Sequence, residues 1–501
     1  MSAYAAYAGV DYDVWLSGYD DSLSFADHRP AGLECLWLDC SRYALDAAAF
    51  VDWLADRLSQ LRRRSPAPIV VATWADPMLI AHLQQRAGQL ASVYVADLTA
   101  LAESARVALL DARNAAVAGT SLSRPLITLA ARALACRWWA GALLTPIKAI
   151  ALDLDHTLHA GVLAESGTAG VRLTPGHARL QKLLLDLRAH GILLALISRN
   201  EAADVQQLFA LRTDYPLRLQ HFSAVEVSWG SKSEALARIA KRLNIGLEAI
   251  LLVDDNPGEL YEVAARCPTV HLLQAQDEAD DTCRALENYP GLWRWRISRE
   301  DELRARDLAA QSHRAKLQAQ AEPGAYFRAL GVRIGLTYNP GAALERLASL
   351  SMRTNQFNLA LRRLTAAEIQ GYMQAEKADV AAVSLADRLS DSGIVGLIIG
   401  RRREDTLVIE ELCLSCRSLG RGLEDALVLP AIAAMPCASE CAWLEFSLVY
   451  GPRNEPARQW LARITGSPTP PVQGRIRLPF AVAADYAVPD GVNLCREGAD
   501  G

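Results

Sequence analysis

The sequence has no long hydrophobic run, no strong excess of either charge and no secretory start, and each absence excludes a class of protein. The most apolar stretch, 138–154, is interrupted by Lys148 and Asp153, so no membrane span is expected. A formal net charge of −5 argues against nucleic acid or anionic membranes as partners. The first fifteen residues lack the basic segment of a secretory signal, which predicts a cytoplasmic protein.

The composition also lacks a cysteine framework and any sign of disorder. The ten cysteines are scattered, so their thiols are expected to be reduced, and any one of them is available as a nucleophile. Apolar residues make up 51% of the chain and charged residues 22%, as in ordinary globular proteins. A chain of 501 residues exceeds what one hydrophobic core organises, so several domains are predicted.

Residues 1–145 alternate short apolar runs with helical stretches, which predicts a doubly wound α/β domain. The expected elements are the strands Val14–Ser17, Leu36–Asp39, Ile69–Thr73 and Val93–Asp97 and the helix Ala47–Arg64. Ser17, Asp39 and Asp111 lie near strand ends, where a hydrolase could use such groups. No histidine base accompanies them, so a non-catalytic binding or scaffolding role is favoured for this domain.

The strongest signal lies near the middle of the chain. An apolar run that begins at Ile147 predicts a buried strand, and it ends in Asp153 and Asp155, followed by Thr157. Ligands of an open α/β sheet bind at the carboxyl ends of its strands, so these acids lie where chemistry is expected. Asp153 could attack a phosphorus atom, and Asp155 could move the proton of the leaving group. The two carboxylates would also attract Mg²⁺.

Three further polar signals follow, each near the end of a predicted strand. The hydroxyl of Ser198 can donate to a phosphate oxygen. Lys232, at the start of a helix, can balance the charge of a nucleophile and a bound phosphate. Asp254 and Asp255 are adjacent carboxylates, which repel each other unless a cation holds them. Each group alone is typical of a solvated surface or an acidic turn, but this order is far less expected by chance.

The order of these residues resembles the four motifs of the haloacid dehalogenase superfamily. The resemblance implies that residues 146–290 form a Rossmann-like phosphatase or phosphotransferase domain. It implies Asp153 as the nucleophile that forms an aspartyl-phosphate, Asp155 as general acid/base, and Lys232 as a catalytic contact of the phosphate. The implied magnesium ligands are Asp153, Asp155, Asp254 and Asp255, and the implied phosphate-binding residues are Thr157, Ser198, Arg199 and Asn200. The short gaps between the motifs leave no room for a cap domain, so an open site is expected.

Residues 291–329 are charged and helix-forming, which predicts a helical connector, and 330–501 predicts an α+β domain. The strands expected there are Val332–Tyr338, Val380–Leu385, Ile394–Ile399 and Leu407–Cys413, as in an antiparallel sheet. The last of them leads into a loop with Arg417, Gly420, Arg421 and Gly422, and a helix is expected after it. A glycine-rich loop between a strand and a helix leaves backbone amides free to hold a pyrophosphate.

That loop resembles the acyl-CoA-binding loop of GNAT-type acyltransferases, and Asn454 resembles part of their next motif. The resemblance implies a phosphopantetheine arm, on coenzyme A or on an acyl carrier protein, held by Arg417, Gly420, Arg421 and Gly422. Cys416 directly precedes the loop, so it is a candidate nucleophile, with a buried structural cysteine as the alternative. Asn355 and Gln356 lie in an amide-rich segment suited to binding a polar or phosphorylated substrate.

The combination of domains resembles FkbH-like proteins along nearly the whole chain. The segments that carry this resemblance are 153–158 with Gly161 and Val162, 198–200, Trp229 with Lys232, 254–257, 354–358 and 415–417. The resemblance implies an enzyme that takes 1,3-bisphosphoglycerate, removes phosphate and loads the glyceryl group as a thioester on an acyl carrier protein, for polyketide or other secondary-metabolite biosynthesis. The chain departs from the family pattern at His156, His159, Arg199 and 390–393, which leaves the substrate open.

The chemistry divides the work between two places. If Asp153 attacked the phosphorus of the acyl phosphate, hydrolysis would release a free acid, and the activation needed for a thioester would be lost. The acyl phosphate must therefore meet a thiol, either Cys416 or that of the carrier, while Asp153 hydrolyses the phosphate monoester. Two alternatives remain: a simple magnesium phosphatase with a docking tail, and a non-catalytic factor that delivers or shields a carrier protein.

Overall fold

The computed structural model describes residues 11–114, 120–296, 303, 307–308, 310–311, 313–314, 317–318, 323–466 and 473–496. The chain divides into two compact units. The first unit consists of Met1–Pro146, Asn288–Arg296 and Leu364–Gly371. The second unit consists of Ile147–Glu287, Ile297–Arg363 and Tyr372–Gly501. Two parallel sheets and one mixed sheet confirm the α/β class expected from the sequence. Much of the predicted helical connector, including residues 297–302, lies outside the described residues. Within those residues, no helix is long and apolar enough to cross a bilayer.

The first unit is built on a three-stranded parallel sheet in the order β1-β2-β3. Its elements are the strands β1 Glu34–Asp39, β2 Ile69–Trp74 and β3 Val93–Asp97 and the helices α1 Ala47–Arg64, α2 Pro77–Ala87, α3 Leu98–Ala105, α4 Arg124–Ala133 and α5 Trp139–Leu143. Ile69 and Val71 of β2 pack with α1 and α2, whereas Val70 and Ala72 pack with α3 and α4. Helices therefore cover both faces of the sheet, as the doubly wound prediction requires.

The predicted strand Val14–Ser17 is wrong, because residues 11–20 form neither helix nor strand. Trp15 is 45% exposed, and the guanidinium of Arg29 lies over its ring, 4.8 Å from the centroid. A cation–π contact thus takes the place of burial against a neighbouring strand. Asp39 and Asp111, two acids that were predicted near strand ends, each accept the backbone N–H of the residue two positions later.

The second unit contains a five-stranded parallel sheet in the order β6-β5-β4-β7-β8. Its elements are the strands β4 Ala149–Leu152, β5 Leu193–Ser198, β6 Ala224–Val227, β7 Ile250–Asp254 and β8 His271–Gln274 and the helices α6 Leu163–Gly170, α7 Pro175–Ala189, α8 Ala202–Leu211, α9 Lys232–Leu243, α10 Pro257–Arg266 and α11 Ala279–Glu287. The central strand β4 is fully buried, as expected for a strand with helices on both faces. Residues 120–296 are described without a gap, and only α6 and α7 lie between β4 and β5, so no cap domain interrupts them.

The same unit also carries a seven-stranded sheet in the order β14-β13-β12-β11-β10-β9-β15. Its strands are β9 Val332–Tyr338, β10 Ala378–Ala386, β11 Asp391–Arg403, β12 Thr406–Leu414, β13 Trp443–Val449, β14 Gln473–Pro479 and β15 Val492–Arg496. Further helices in the described part of the chain are α12 Pro323–Leu330, α13 Leu344–Arg353, α14 Ala366–Met373, α15 Glu424–Ala433, α16 Glu455–Thr465 and α17 Ala481–Ala484. The strands β9 to β12 pair antiparallel, as predicted, whereas β12 pairs parallel with β13.

The parallel pair β12 and β13 diverges, and a distant segment fills the gap. The two strands pair only from Thr406 to Ile409 on β12 and from Trp443 to Phe446 on β13. Residues 357–359 lie beyond that point and pair with both strands. Their backbone hydrogen bonds are Leu414 N–H to Phe357 C=O at 2.9 Å, Leu359 N–H to Leu412 C=O at 3.1 Å and Val449 N–H to Leu359 C=O at 2.9 Å. The strand edges that the divergence would expose are therefore paired by the chain itself.

Asn454 secures this filling segment. Its side-chain amide donates to the carbonyl of Asn358 at 3.0 Å and to that of Val449 at 2.8 Å. Its carbonyl oxygen accepts the backbone N–H of Gly451 at 3.0 Å. Since Asn454 is fully buried and both ends of its side chain are bonded, its role here is structural.

Candidate active site

The carboxyl edge of the central sheet brings Asp153, Lys232 and Asp254 into contact. Asp153 directly follows β4, Asp254 ends β7, and Lys232 is the first residue of α9. The Lys232 Nζ atom lies 2.7 Å from Asp153 Oδ1 and 2.5 Å from Asp254 Oδ2. The backbone of Asp153 is anchored as well, because its N–H donates to the Val253 carbonyl at 2.9 Å. The parallel sheet thus places the predicted nucleophile, lysine and acid at one point.

This cluster is buried and carries excess negative charge. Asp153 is 7% exposed, Lys232 4% and Asp254 0%. Burial raises the pKa of Asp153 to about 7; the charges of Asp254 and Asp255 add to this effect, while Lys232 opposes it. Burial opposes the charge of Lys232 too, but Asp153 and Asp254 outweigh it and raise the pKa of Lys232. One ammonium group faces three carboxylates, so a further cation would stabilise the ionised site.

Three of the four predicted metal ligands are positioned to share an ion. Carboxylate oxygens of Asp153, Asp254 and Asp255 lie within 4.8 Å of one another. Oxygen donors of this kind are those that Mg²⁺ prefers, and the uncompensated charge fits a divalent ion. The side chain of Asp155, the fourth predicted ligand, is not part of this cluster and is held by other donors, so its role as a metal ligand stays a prediction.

We expect Mg²⁺ to stabilise the protein, and to do so more strongly as the pH rises. The carboxyl of Asp153 must be ionised to bind the ion, and its pKa is raised from the usual 3.8 to about 7. In the metal-free protein, the stability provided by the protonated carboxyl is complete below pH 3.8 and is lost as the pH rises through about 7. The increase in melting temperature caused by Mg²⁺ should therefore be larger at about pH 8 than at about pH 6.

The control for this prediction is a pair of matched substitutions. Asp254→Asn should abolish the effect of Mg²⁺ on the melting temperature, because it removes a buried ligand. Asp277→Asn changes an exposed aspartate outside the cluster and should leave the effect intact. An equal increase at both pH values would contradict the assignment of Asp153 as a ligand.

Asp155 is held by three hydrogen-bond donors. His159 Nε2 lies 3.1 Å from Oδ1, the Leu163 N–H lies 3.0 Å from the same atom, and Asn200 Nδ2 lies 2.8 Å from Oδ2. Burial opposes ionisation of this carboxyl, but the hydrogen bonds, chiefly those of His159 and Asn200, outweigh it and lower the pKa of Asp155. The group is thus held as a carboxylate, the form that accepts a proton from an attacking water.

His159 is a site residue that the sequence motifs did not predict; it stood out only as a departure from a family pattern. It is fully buried, and its Nδ1 has no hydrogen-bond partner among the described residues. Because the ionised Asp155 can only accept, Nε2 is the donor of this hydrogen bond. The available signal was the spacing of four residues between Asp155 and His159.

We expect His159→Ala to lower kcat for phosphate release by roughly 10- to 100-fold, as is typical when the group that orients a reacting carboxylate is lost. His159→Gln keeps an N–H donor and should retain more activity than the alanine variant. His177→Ala is the matched control, because His177 is also buried but bonds Thr174 Oγ1 at 2.7 Å. Equal loss of kcat in His159→Ala and His177→Ala would assign His159 a structural role only.

Two predicted phosphate-binding residues have unused polar atoms. Thr157 is 1% exposed, and its hydroxyl has no partner in the described part of the chain. Asn200 donates to Ser198 Oγ at 3.0 Å, while its own Oδ1 lacks a partner among the residues that the structure describes. A buried hydroxyl without a partner is costly, and a phosphate oxygen would satisfy it. Arg199, in contrast, already has a carboxylate partner, since its Nη1 lies 2.6 Å from Glu259 Oε1.

The residues predicted for acyl transfer lie at the opposite edge of the same sheet. A cavity of about 170 Å³ is lined there by Asn355, Gln356, Cys416, Arg417, Gly420 and Arg421. Lys148, which precedes β4, and Leu193, the first residue of β5, also line it. Because parallel strands begin at this edge, the cavity and Asp153 are at opposite ends of β4. Asn355 and Gln356 therefore belong to the cavity and not to the Asp153 site.

Two of the groups predicted to bind pantetheine already form hydrogen bonds within the chain. The Arg421 side chain is 8% exposed, and its Nη2 lies 3.0 Å from both carboxylate oxygens of Asp307. The Gly420 N–H donates to Glu424 Oε1 at 3.0 Å. In this structure the guanidinium of Arg421 and the amide of Gly420 are therefore both satisfied within the chain, and the binding of a phosphopantetheine arm by this loop stays a prediction.

The chain was compared with known families, curated sequences and solved structures. No protein-family model matches it, and neither does any curated protein sequence. One similar solved structure is the N-terminal part of the protein BF1531 from Bacteroides fragilis, described as containing a phosphatase domain complexed with Mg. It matches with a TM-score of 0.42 and 16% identity over 53% of this chain and 80% of that one. At this level of similarity, function follows only from the geometry of the site.

Proposed function

We propose that this chain is a Mg²⁺-dependent phosphatase that also loads an acyl unit onto a carrier thiol. The proposed substrate is 1,3-bisphosphoglycerate, and the proposed product is a glyceryl thioester on an acyl carrier protein. The observation that carries the phosphatase half is the convergence of Asp153, Lys232, Asp254 and Asp255 at the carboxyl edge of one parallel sheet.

In the first phosphatase step, an oxygen of Asp153 attacks the phosphorus of the monoester. The bond from phosphorus to the ester oxygen breaks, and Asp155, which has taken the proton of the incoming phosphate monoanion, gives that proton to the leaving alkoxide. Water then attacks the aspartyl-phosphate, Asp155 takes a proton from this water, and inorganic phosphate leaves Asp153. Lys232 neutralises charge throughout, and the hydroxyl of Thr157 is available to a phosphate oxygen. A bound Mg²⁺ would be held by Asp153, Asp254 and Asp255 and would offset the charge of the phosphate.

The acyl half is supported by the surroundings of Cys416. This partly exposed cysteine lines the cavity together with Arg346, Arg353 and Arg417, a charge that suits a phosphorylated ligand. In the proposed step, the Cys416 thiolate attacks the acyl carbon, the carbon–oxygen bond to phosphate breaks, and inorganic phosphate leaves. The thiol of the carrier then takes the acyl group by thioester exchange.

The loop after β12 favours a carrier-borne arm over coenzyme A. A carboxylate oxygen of Glu424 accepts the Gly420 N–H, in the place where the amides of a glycine-rich loop would hold a pyrophosphate. A pyrophosphate there would meet the negative charge of Glu424. The phosphopantetheine of a carrier protein is attached through a single phosphodiester, so its binding does not require loop amides that hold a pyrophosphate.

The test is to incubate the protein with Mg²⁺, 1,3-bisphosphoglycerate and a holo-acyl carrier protein and to weigh the intact carrier. The proposal expects a carrier that has gained a glyceryl group without phosphate. Phosphate release with an unchanged carrier would leave a simple phosphatase with a docking tail. No phosphate release, together with normal function of Asp153→Asn in the host, would favour the non-catalytic alternative.

A further inference from the structure

We propose that the Asp153 site never dephosphorylates an acyl group while that group is attached to Cys416. The two half-reactions are instead separate binding events at opposite edges of one sheet. This inference rests on the proposed function, and it adds the order in which the covalent and hydrolytic steps can be combined.

The first argument is the distance along the central strands. Lys148 lines the cavity at the start of β4, and Asp153 follows the end of that strand. The five residue steps between them span ~17 Å at ~3.3 Å per residue. The next strand gives the same result independently, because Leu193 lines the cavity and Ser198 lies at the other end of β5.

The second argument is that no direct path joins the sites through the sheet. Every residue of β4 and β5 is buried. The helices of this α/β layer pack against their faces, as in the core that joins Ala149, Ala195 and Leu236. A substrate attached near the cavity must therefore go round the domain through solvent, a path longer than the strand itself.

The third argument is the short reach of a tethered substrate. A phosphorylated three-carbon acyl group extends only about 7 Å from sulfur to phosphorus, since five bonds of ~1.5 Å join them. The backbone at Cys416 is also held, because its carbonyl accepts a hydrogen bond from the side chain of Asn244, at the end of α9. Arg421, five residues later, is fixed to Asp307. The acyl-enzyme cannot bring its phosphate to Asp153 of the same molecule.

The substrate of the Asp153 site is therefore a primary phosphate ester on a three-carbon acyl unit that is not bound to Cys416. Two sources offer this chemistry: the free acyl phosphate, and the thioester on the long arm of a carrier protein. The absence of a cap between β4 and β5 leaves the carboxyl edge open to either one.

The experiment separates loading from hydrolysis in time. The wild-type protein is loaded with 1,3-bisphosphoglycerate in a chelator, desalted, and then supplied with Mg²⁺ while its intact mass is followed. The acyl-enzyme is expected to keep its phosphate and to lose it at least about 100-fold more slowly than the free substrate does under the same conditions. Loss of phosphate from the acyl-enzyme at the rate of the free substrate would overturn the inference.

Two further reactions identify which substrate the Asp153 site dephosphorylates, and a variant serves as the control. Free 1,3-bisphosphoglycerate with Mg²⁺, and carrier protein bearing the phosphorylated acyl group with Mg²⁺, should between them account for all phosphate release from the ester. Asp153→Asn should release none in either arm, which ties the activity to this site. If no acyl-enzyme forms and Cys416→Ala still loads the carrier, the acyl step of the proposed function is wrong and this inference falls with it.

Discussion

Asp153→Asn is expected to abolish phosphate release, with kcat falling on the order of 10⁴- to 10⁶-fold, as when a catalytic nucleophile is removed from another enzyme. An amide cannot attack phosphorus, and the substitution also removes one of the three carboxylates that surround the proposed ion. The fold should persist, because Asn has the same shape and takes an unfavourable buried charge out of the site.

The measurement for Asp153→Asn is release of inorganic phosphate from the ester position at saturating substrate, counted apart from the phosphate that the acyl step sets free. The melting temperature is the check on folding. Asp277→Asn, an exposed aspartate away from the cluster, is the control and should behave as the wild type. Phosphate release within tenfold of the wild-type rate would exclude Asp153 as the nucleophile.

Arg314→Met is expected to lower the free energy of unfolding by about 3–5 kcal/mol, the range seen when one partner of a buried ion pair is removed. Arg314 is 3% exposed, and its guanidinium contacts Asp387 at 2.8 Å and Asp307 at 3.1 Å. Arg421 alone would then face both carboxylates, of which Asp307 is 3% exposed and Asp387 8%.

Urea denaturation measures this loss, and Arg238→Met is the matched control. Arg238 forms a pair with Glu226 at 2.8 Å, but it is 49% exposed, so the same substitution should cost less than about 1 kcal/mol. A loss of similar size in both variants would show that the buried network contributes no more than a surface pair.

The parts of the fold that could be predicted are those encoded in local patterns. The runs at Ile69 and Val332 became strands because each is long enough and apolar enough to fill a sheet. The run at Val14 has the same character over fewer residues, and it joins no sheet; its Trp15 contacts Arg29 instead. The filling of the gap between β12 and β13 was not predictable, because pairing over such separations leaves no local pattern.

The candidate active site was likewise only partly predictable from the sequence. The positions of Asp153 and Asp254 could be predicted because a strand end fixes where the backbone delivers a side chain. The orientation of Asp155 could not, since it depends on His159 and on an amide from the next strand's loop. The ion pair between Arg421 and Asp307 could not be predicted either, because the two residues lie 114 positions apart in the sequence.

The segment 357–359 that joins β12 and β13 has a consequence for the order of folding. Its partners Leu412 and Val449 lie about 50 and about 90 residues later in the chain, so the loops to be closed are long. The sheet cannot become continuous until all three stretches have met. The central sheet also needs one distant pairing, because Ala149 of β4 pairs with Ile250 of β7. Asn355 and Gln356, at the wall of the cavity, directly precede this segment. The wall of the cavity and the Asp153 site, whose Asp254 ends β7, are thus both completed only when distant parts of the chain have met.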